Sequence, residues 1–425
     1  MDVAVIGAGL AGLAAAIELQ TAGHAIQVFE ATDRAGGRVQ TDEVDGHLLD
    51  RGFQVLLDAY PEVWNLLDVA PLDLQYFAPG ALTRFDGAFH RVTDPLQDPS
   101  GLLATLRSPV GSLGDKLRIL SFRRAVRKGT LDDLWNRPER TALERLRDAG
   151  FGDDIIEHLL RPLFTGITLD PELSGSSRVL EFVFRMLSSG HTGVPARGMA
   201  AIPAQLAARL PADAIAVSTP VAAVDGSSTG AAIKLADGEV VSADAAIIAT
   251  DASTAAELSD VTDHGWRPTT TVWFAADEPP ISEPILVLNG EGSGPINSLA
   301  VMSEVSAAYA PAGRSTIAVS APVIEPGLAA DVRSQLGEWF GAVVDDWDVL
   351  RVDEIPKAHP IQPPGHDRSG VAAPGGDLGG RVLVCGDHRA DPSINGALFS
   401  GRAAARTLLA GVDEPAPDDE PAPET

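Results

Sequence analysis

The stretch 4-AVIGAGLAGLAAAIEL-19 sets three glycines, Gly7, Gly9 and Gly12, between an apolar run and an alanine-rich one. Residues 2–6 are short, apolar and β-branched, as a buried parallel strand requires. Residues 10–22 are strong helix formers, and Gly23 ends them. Residues 25–30 form a second strand that closes on an acid, Glu30. This strand–turn–helix–strand spacing is the unit that binds a dinucleotide. Gly7 permits the tight turn, Gly9 lets backbone approach a pyrophosphate, and Gly12 lets helix pack on strand. The helix start offers free N–H groups and partial positive charge. Glu30 stands 21 residues after Gly9. At that spacing a carboxylate accepts from a ribose 2′-hydroxyl and repels a 2′-phosphate.

Composition narrows the class. A chain of 425 residues suits two domains. Its formal charge is −27, with 59 acidic against 32 basic residues, which argues against nucleic acid as a partner. There is one cysteine, Cys385, so no internal disulfide framework is expected. No signal or transit segment and no long uncharged apolar run is read, and the expected location is cytoplasmic. The nine histidines lack paired ligand spacing, so no metal site is expected. The proline-rich acidic end, residues 411–425, reads as a disordered tail.

Further along, 33-DRAGGRVQT-41 offers backbone N–H groups at Gly36 and Gly37 and a fork of donors at Arg38. Residues 46–56 read as a hairpin-like return with Gly52 at a close approach. Residues 100–190 look helical, with Thr141 and Glu144 as a capping box. Pro162 is expected to end the helix over 153–161. Residues 178–187 are apolar nearly all round, as a buried helix or a cavity wall would be. Strands return over 215–250 and 269–324, and 328–347 reads as one helix. In 381-RVLVCGDHRADPSINGALFSG-401 a strand ends on Gly386 and Asp387, and a helix starts near Asn395 or Gly396.

Together, "VIGAGLAGLAAA…VFEATDRAGGRVQT" and "VCGDHRADPSINGALFSGRAAA" resemble the flavoprotein superfamily of amine oxidases, protoporphyrinogen oxidases and phytoene desaturases. The resemblance implies an α/β chain: a Rossmann-like FAD-binding domain with an inserted mixed α+β substrate domain. FAD-binding segments are expected over 1–75, 191–255 and 351–410. The substrate domain is expected over 76–190, largely helical, and 256–350, rich in β-structure. By analogy, Gly7, Gly9 and Gly12 hold the pyrophosphate and Glu30 the adenosine ribose. Gly36, Gly37, Arg38 and Gly52 line the cofactor, and Val221 offers backbone to the adenine. Asp387, beside Gly386, takes a flavin-side hydroxyl or phosphate. Asn395, Gly396 and Ala397 bring their helix start near the flavin.

The expected activity is removal of hydride from an organic, largely apolar substrate, with oxygen, a quinone or another carrier as acceptor. The catalytic side chains and oligomeric state are not legible. Two alternatives stand: a flavin amine oxidase, and a non-catalytic FAD-binding partner or sensor. Departures bear on the first. Thr32 stands where amine oxidases commonly carry arginine, and Asn395 where relatives often carry glutamate. No lysine lies on 269–276, and Ser393 replaces a tyrosine common in amine oxidases. Simple amines are therefore expected to be poor substrates. Residues 116–128 carry six basic side chains among apolar ones. They read first as a solvated helix face, and second as a face resting on an anionic membrane.

Overall fold

The structure, a computed structural model, describes residues 1–93, 97–373 and 381–413, the last three by backbone alone. Residues 414–425 of the expected tail lie outside the described residues. The chain divides into two compact units. The first takes residues 1–37, 206–263 and the chain from 368 on; the second takes 38–205 and 264–367.

In the first unit, the strand Asp2–Ile6 lies between Ala25–Phe29 and Ala245–Ile248, parallel to both. Val382–Cys385 and Ile215–Ala216 extend the parallel set on either side, and Val371–Ala372 closes one edge antiparallel. Burial on both faces explains the uninterrupted apolar runs. The helix Leu10–Thr21 is buried between this sheet and the last helix, with Leu13, Ala14 and Ala15 fully buried. A three-stranded antiparallel sheet, Val221–Gly226, Ala231–Leu235 and Val240–Ala243, covers the other side through Val224 and Ile233.

In the second unit a seven-stranded sheet runs in the order Asp348–Pro360, Trp266–Ala276, Ser315–Ala321, Ser298–Val301, Leu286–Asn289, Ala81–Phe85, Ala88–Val92. One of its faces meets the helix Leu328–Phe340 in a core of Phe274, Leu299, Ile317, Val332 and Leu336. Most of this unit's helices lie between 102 and 187. The capping box at Thr141 and Glu144 is present. The helix Ser177–Leu187 is buried, with Phe182 stacked on Tyr60 and Phe184 edge-on to Phe122.

Several boundaries differ from the sequence reading. Residues 38–75 and 191–205 belong to the second unit. There the strand Thr192–Pro195 pairs with Leu56–Leu57 and with Leu74–Tyr76. Residues 351–367 join it too, because Asp348–Pro360 pairs along Trp266–Ala276. Pro162 does not end its helix. The turn Asp153–Ile155 widens into a π-helical stretch, Ile156–Leu160, and an α-helix follows over Arg161–Thr168. Widening by one residue per turn accommodates the proline ring and its missing N–H. The helix expected over 328–347 stops at Phe340, because Gly341 takes φ +80°. The last helix, Ile394–Asp413, runs three residues past the expected boundary at 410.

Candidate functional site

The first helix starts on backbone alone. Gly7 takes φ +100°, which a side chain rarely adopts, and its N–H donates to Phe29 O at 2.8 Å. A Cβ on Gly12 would stand 1.9 Å from Gly7 O, so only glycine lets the helix sit this low on its strand. A Cβ on Gly9 would meet nothing within 4 Å. Gly9 is the residue preceding the helix, and no side chain caps it. The first turn carries no acid. Its amides and partial positive charge are therefore left for a ligand.

Two segments close around this start. Gly36 N–H donates to Ala8 O at 2.8 Å, and a Cβ on Gly37 would come within 3.2 Å of Gly9 Cα. Glu30 is buried at the end of the second strand. One oxygen accepts from Ala8 N–H at 2.7 Å; the other accepts from Thr32 N–H at 2.9 Å and Thr32 Oγ1 at 2.7 Å. Thr32, in sequence only a departure from the family pattern, is what orients this carboxylate. An ionised carboxylate has about four acceptor positions, so one remains for a hydroxyl. Ser218 N–H donates to Thr32 O, and Thr219 N–H to Glu30 O. These bonds bring Val221, two residues on, beside the same strand end.

The carboxyl-terminal motif forms a second helix start in this unit. Gly386 takes φ +151°; its N–H donates to Ser400 Oγ at 2.7 Å, and Ser400 Oγ donates to Gly370 O. Asp387 is buried beside it. Here side chains fill the turn. Ser393 Oγ donates to Asp391 and accepts from Gly396 N–H at 3.2 Å, while Asn395 Nδ2 donates to Asp391 Oδ1 at 3.1 Å. Ala397 N–H donates to Ser393 O at 3.0 Å. A Cβ on Gly396 would lie 1.7 Å from Asp391 O, so the glycine is required by close packing. Burial pushes the Asp391 carboxyl up to about 6, with the charge of Asp387 adding to the rise. Cys385 is fully buried and its thiol is pushed up to about 12, as an inert core residue would be.

Arg38 and Gly52 belong to the second unit. The Arg38 guanidinium lies over the Trp266 ring, 5.2 Å from its centroid, and donates to Ala358 O at 3.1 Å. Gly52 takes φ +84°, with Ile355 3.0 Å from where its Cβ would be. Asp50, buried two residues earlier, is a residue that sequence reading missed. It accepts from Met199 N–H at 3.0 Å, Thr41 Oγ1 at 2.6 Å and Tyr309 Oη at 2.7 Å. Burial raises both Asp50 and Tyr309 above their ordinary values. Asp50 and Thr41 thereby hold the backbone of Met199 and Ala200, just after Gly198.

The sheet face opposite the second unit's core carries hydroxyls in register. Thr271 pairs with Ser320, Ser320 with Ser298, Ser298 with Leu288, and Leu288 with Thr83. Thr83 Oγ1 and Ser298 Oγ have no hydrogen-bond partner among the described residues. The periodicity of each strand shows its two faces, but only the register aligns these hydroxyls.

A glycine-built helix start, a carboxylate at the next strand end and a second glycine turn from the far end of the chain define a dinucleotide-binding flavoprotein fold. The family of flavin-containing amine oxidoreductases matches residues 10–409, and this chain belongs to it. FAD is its cofactor. The donors fit: uncapped amides for a pyrophosphate, open space at Gly9, and an acceptor at Glu30. The chain is 30% identical over 172 residues to protoporphyrinogen oxidase 2 of Arabidopsis thaliana, covering 40% of this chain and 33% of that one. It is 41% identical over 69 residues to zeta-carotene desaturase of Synechocystis, covering 16% and 14%. The chain thus spans about a third or less of these curated relatives' lengths. Among solved structures, a redesigned putrescine oxidase is similar at 18% identity and TM-score 0.72, covering 96% of this chain and 99% of that one. Cyclohexylamine oxidase of Brevibacterium oxydans is similar at 16% identity and TM-score 0.72, covering 97% and 99%. Among the described residues, no helix is long and apolar enough to cross a membrane.

Proposed function

We propose that the chain is an FAD-dependent oxidoreductase that takes hydride from a largely apolar organic substrate, as desaturases and protoporphyrinogen oxidases do. When bound, FAD supplies the acceptor for the two electrons and hydrogen that leave the substrate. The chain's residues bind and orient. The first helix start and Gly36–Gly37 receive the pyrophosphate, Glu30 the ribose, Val221 the adenine, and Asp387 a flavin-side polar group. Arg38 and Gly52 keep a supporting role on the second unit, and Asn395, Gly396 and Ala397 stand toward the flavin. The substrate is a small molecule, and a cytoplasmic location accords with the reading.

The observation that carries the substrate class is the strand Trp266–Ala276. Thr269, Thr270 and Thr271 are buried on it, it holds no lysine, and it sits in a hydroxyl-bearing face. Arg267, near the strand's start, is paired with Asp170, and residues 269–276 carry no basic side chain to serve amine chemistry. The second reading, an amine oxidase, is favoured by the end-to-end likeness to putrescine and cyclohexylamine oxidases. Anaerobic stopped-flow mixing of the oxidised protein decides between them. Flavin bleaching is expected with porphyrinogens or carotenoid precursors and not with mono- or polyamines. Fast, saturable bleaching by an amine would establish the second reading.

A further inference from the structure

Residues 102–128 combine exposed leucines with an excess of positive charge. Leu102, Leu103 and Leu106, on the short helix Leu102–Arg107, are 42%, 56% and 45% exposed. Leu113 and Leu117, on the helix Leu113–Val126, are 60% and 68% exposed. Every strongly exposed leucine among the described residues lies in this one stretch. Leucines so concentrated mark an interaction surface, whereas single exposed ones need no explanation. The stretch also holds seven basic residues and one acid, Asp115, in a chain of net charge −27.

The side chains divide by task. Lys116 and Arg123 are buried and structural: Lys116 Nζ donates to Ser108 O, and Arg123 Nη2 to Ser188 O, both at 2.7 Å. Asp115 is buried as the acid of a capping box with Ser112, and it also pairs with Arg118. Arg107, Arg118, Arg124, Arg127 and Lys128 face solvent. Arg107, Arg124 and Lys128 make no ion pair among the described residues. A groove of about 550 Å³, lined by Leu120, Arg123, Arg124, Arg127 and Lys128, runs along the helix's end. Ser188 O, which Arg123 and Arg127 bind, leads into His191. His191 bonds Asp58 and rests against the exposed Tyr76, and Asp58 O accepts from the exposed Trp64. Leucine, a basic groove and aromatic rings with one polar end are the constituents of a surface seated in the boundary of a bilayer.

We propose that this surface docks the protein on an anionic membrane. Leu102, Leu103, Leu106, Leu113 and Leu117 enter the acyl boundary, and Arg124, Arg127 and Lys128 take lipid phosphates. Charge complementarity favours the bilayer: Arg118 is answered by Asp115, but Arg107, Arg124 and Lys128 have no acid among the described residues, and a headgroup layer supplies a continuous sheet of anions. The inference stands independently of the substrate reading, because docking is read without turnover.

The test is co-sedimentation of the purified holoprotein with vesicles of phosphatidylcholine alone and of phosphatidylcholine with phosphatidylglycerol. Binding is expected to the anionic vesicles and to fall with salt. Arg124→Gln with Lys128→Gln lowers partitioning about 25-fold, since each cation contributes about fivefold. Leu103→Glu with Leu117→Glu abolishes it. All four positions are exposed, so FAD content and melting temperature stay at wild-type values, which separates lost docking from lost folding. Absence of binding to either vesicle overturns the proposal. So does equal binding to both vesicles, or binding that the arginine and lysine changes leave untouched. If the leucine changes instead dissociate an oligomer in light scattering, the face belongs to a second copy of this chain and the proposal fails.

Discussion

Two helix starts in the first unit perform opposite tasks with similar materials. Leu10–Thr21 begins on glycine backbone with no side-chain cap, and a Cβ on the preceding Gly9 would meet nothing. Ile394–Asp413 begins among its own side chains: Ser393 caps Gly396 N–H, and Asp391 collects Ser393 and Asn395. The first start leaves its amides open to a ligand's negative charge. The second already holds a carboxyl group, at the expense of burying it. A glycine motif by itself thus says little about ligands. What decides is whether the amides beside it are left open.

The largest expected effect lies where the glycine is structural. Gly12→Val drives a Cβ and two methyls into Gly7 O, so it should destabilise the protein by about 3 kcal/mol and abolish bound flavin. Thermal melting and the ratio of visible to ultraviolet absorbance read both. Gly9→Ala, only three residues away, should change apoprotein stability by less than about 1 kcal/mol. A comparable loss of stability at both positions would break the contrast between close packing and open space.

Next is Glu30. Glu30→Ala removes an acceptor of charge-assisted bonds, each worth roughly 1.5–3 kcal/mol, and should weaken FAD binding about tenfold or more. Titration of apoprotein with FAD measures it. Unchanged affinity in a folded variant would mean that Glu30 serves only Ala8 and Thr32.

A pH-dependent effect concerns the closed start. Asp391 has its carboxyl raised from 3.8 to about 6 by burial, so the native chain favours the protonated form. Its stability contribution is complete below about pH 4 and is lost as pH rises through about 6. Asp391→Asn should flatten that decline, a difference of about 3 kcal/mol at neutral pH. Melting curves across this range for both proteins check it. Parallel curves would show that Ser393 and Asn395 fully offset the burial.

The open start was legible in the sequence because its signal is local: strand, glycines, helix and acid follow within thirty residues. The closed start was legible only in outline. Asp387 and Asn395 could be singled out, but no local pattern marks Asp391, which matters only once Ser393 and Asn395 turn toward it. Thr32 illustrates the same limit, since its hydroxyl matters only once it meets Glu30. The unit boundary after Gly37 was hidden because pairing of Thr192–Pro195 with Leu56–Leu57 is long-range and leaves no local pattern. The run through Pro162 was missed because a π-helical turn has no sequence signature of its own. In 116–128 the pattern showed six cations alike, whereas packing buries Lys116 and Arg123 and exposes the others.

The central claim is that the open start, with Glu30, holds one FAD per chain. Heat denaturation of the purified yellow protein, followed by chromatography of the released flavin against protein concentration, tests it most directly. The account predicts FAD at about one per chain, the stoichiometry of one binding unit. Release of FMN, or a colourless protein that takes up no added FAD, would contradict it.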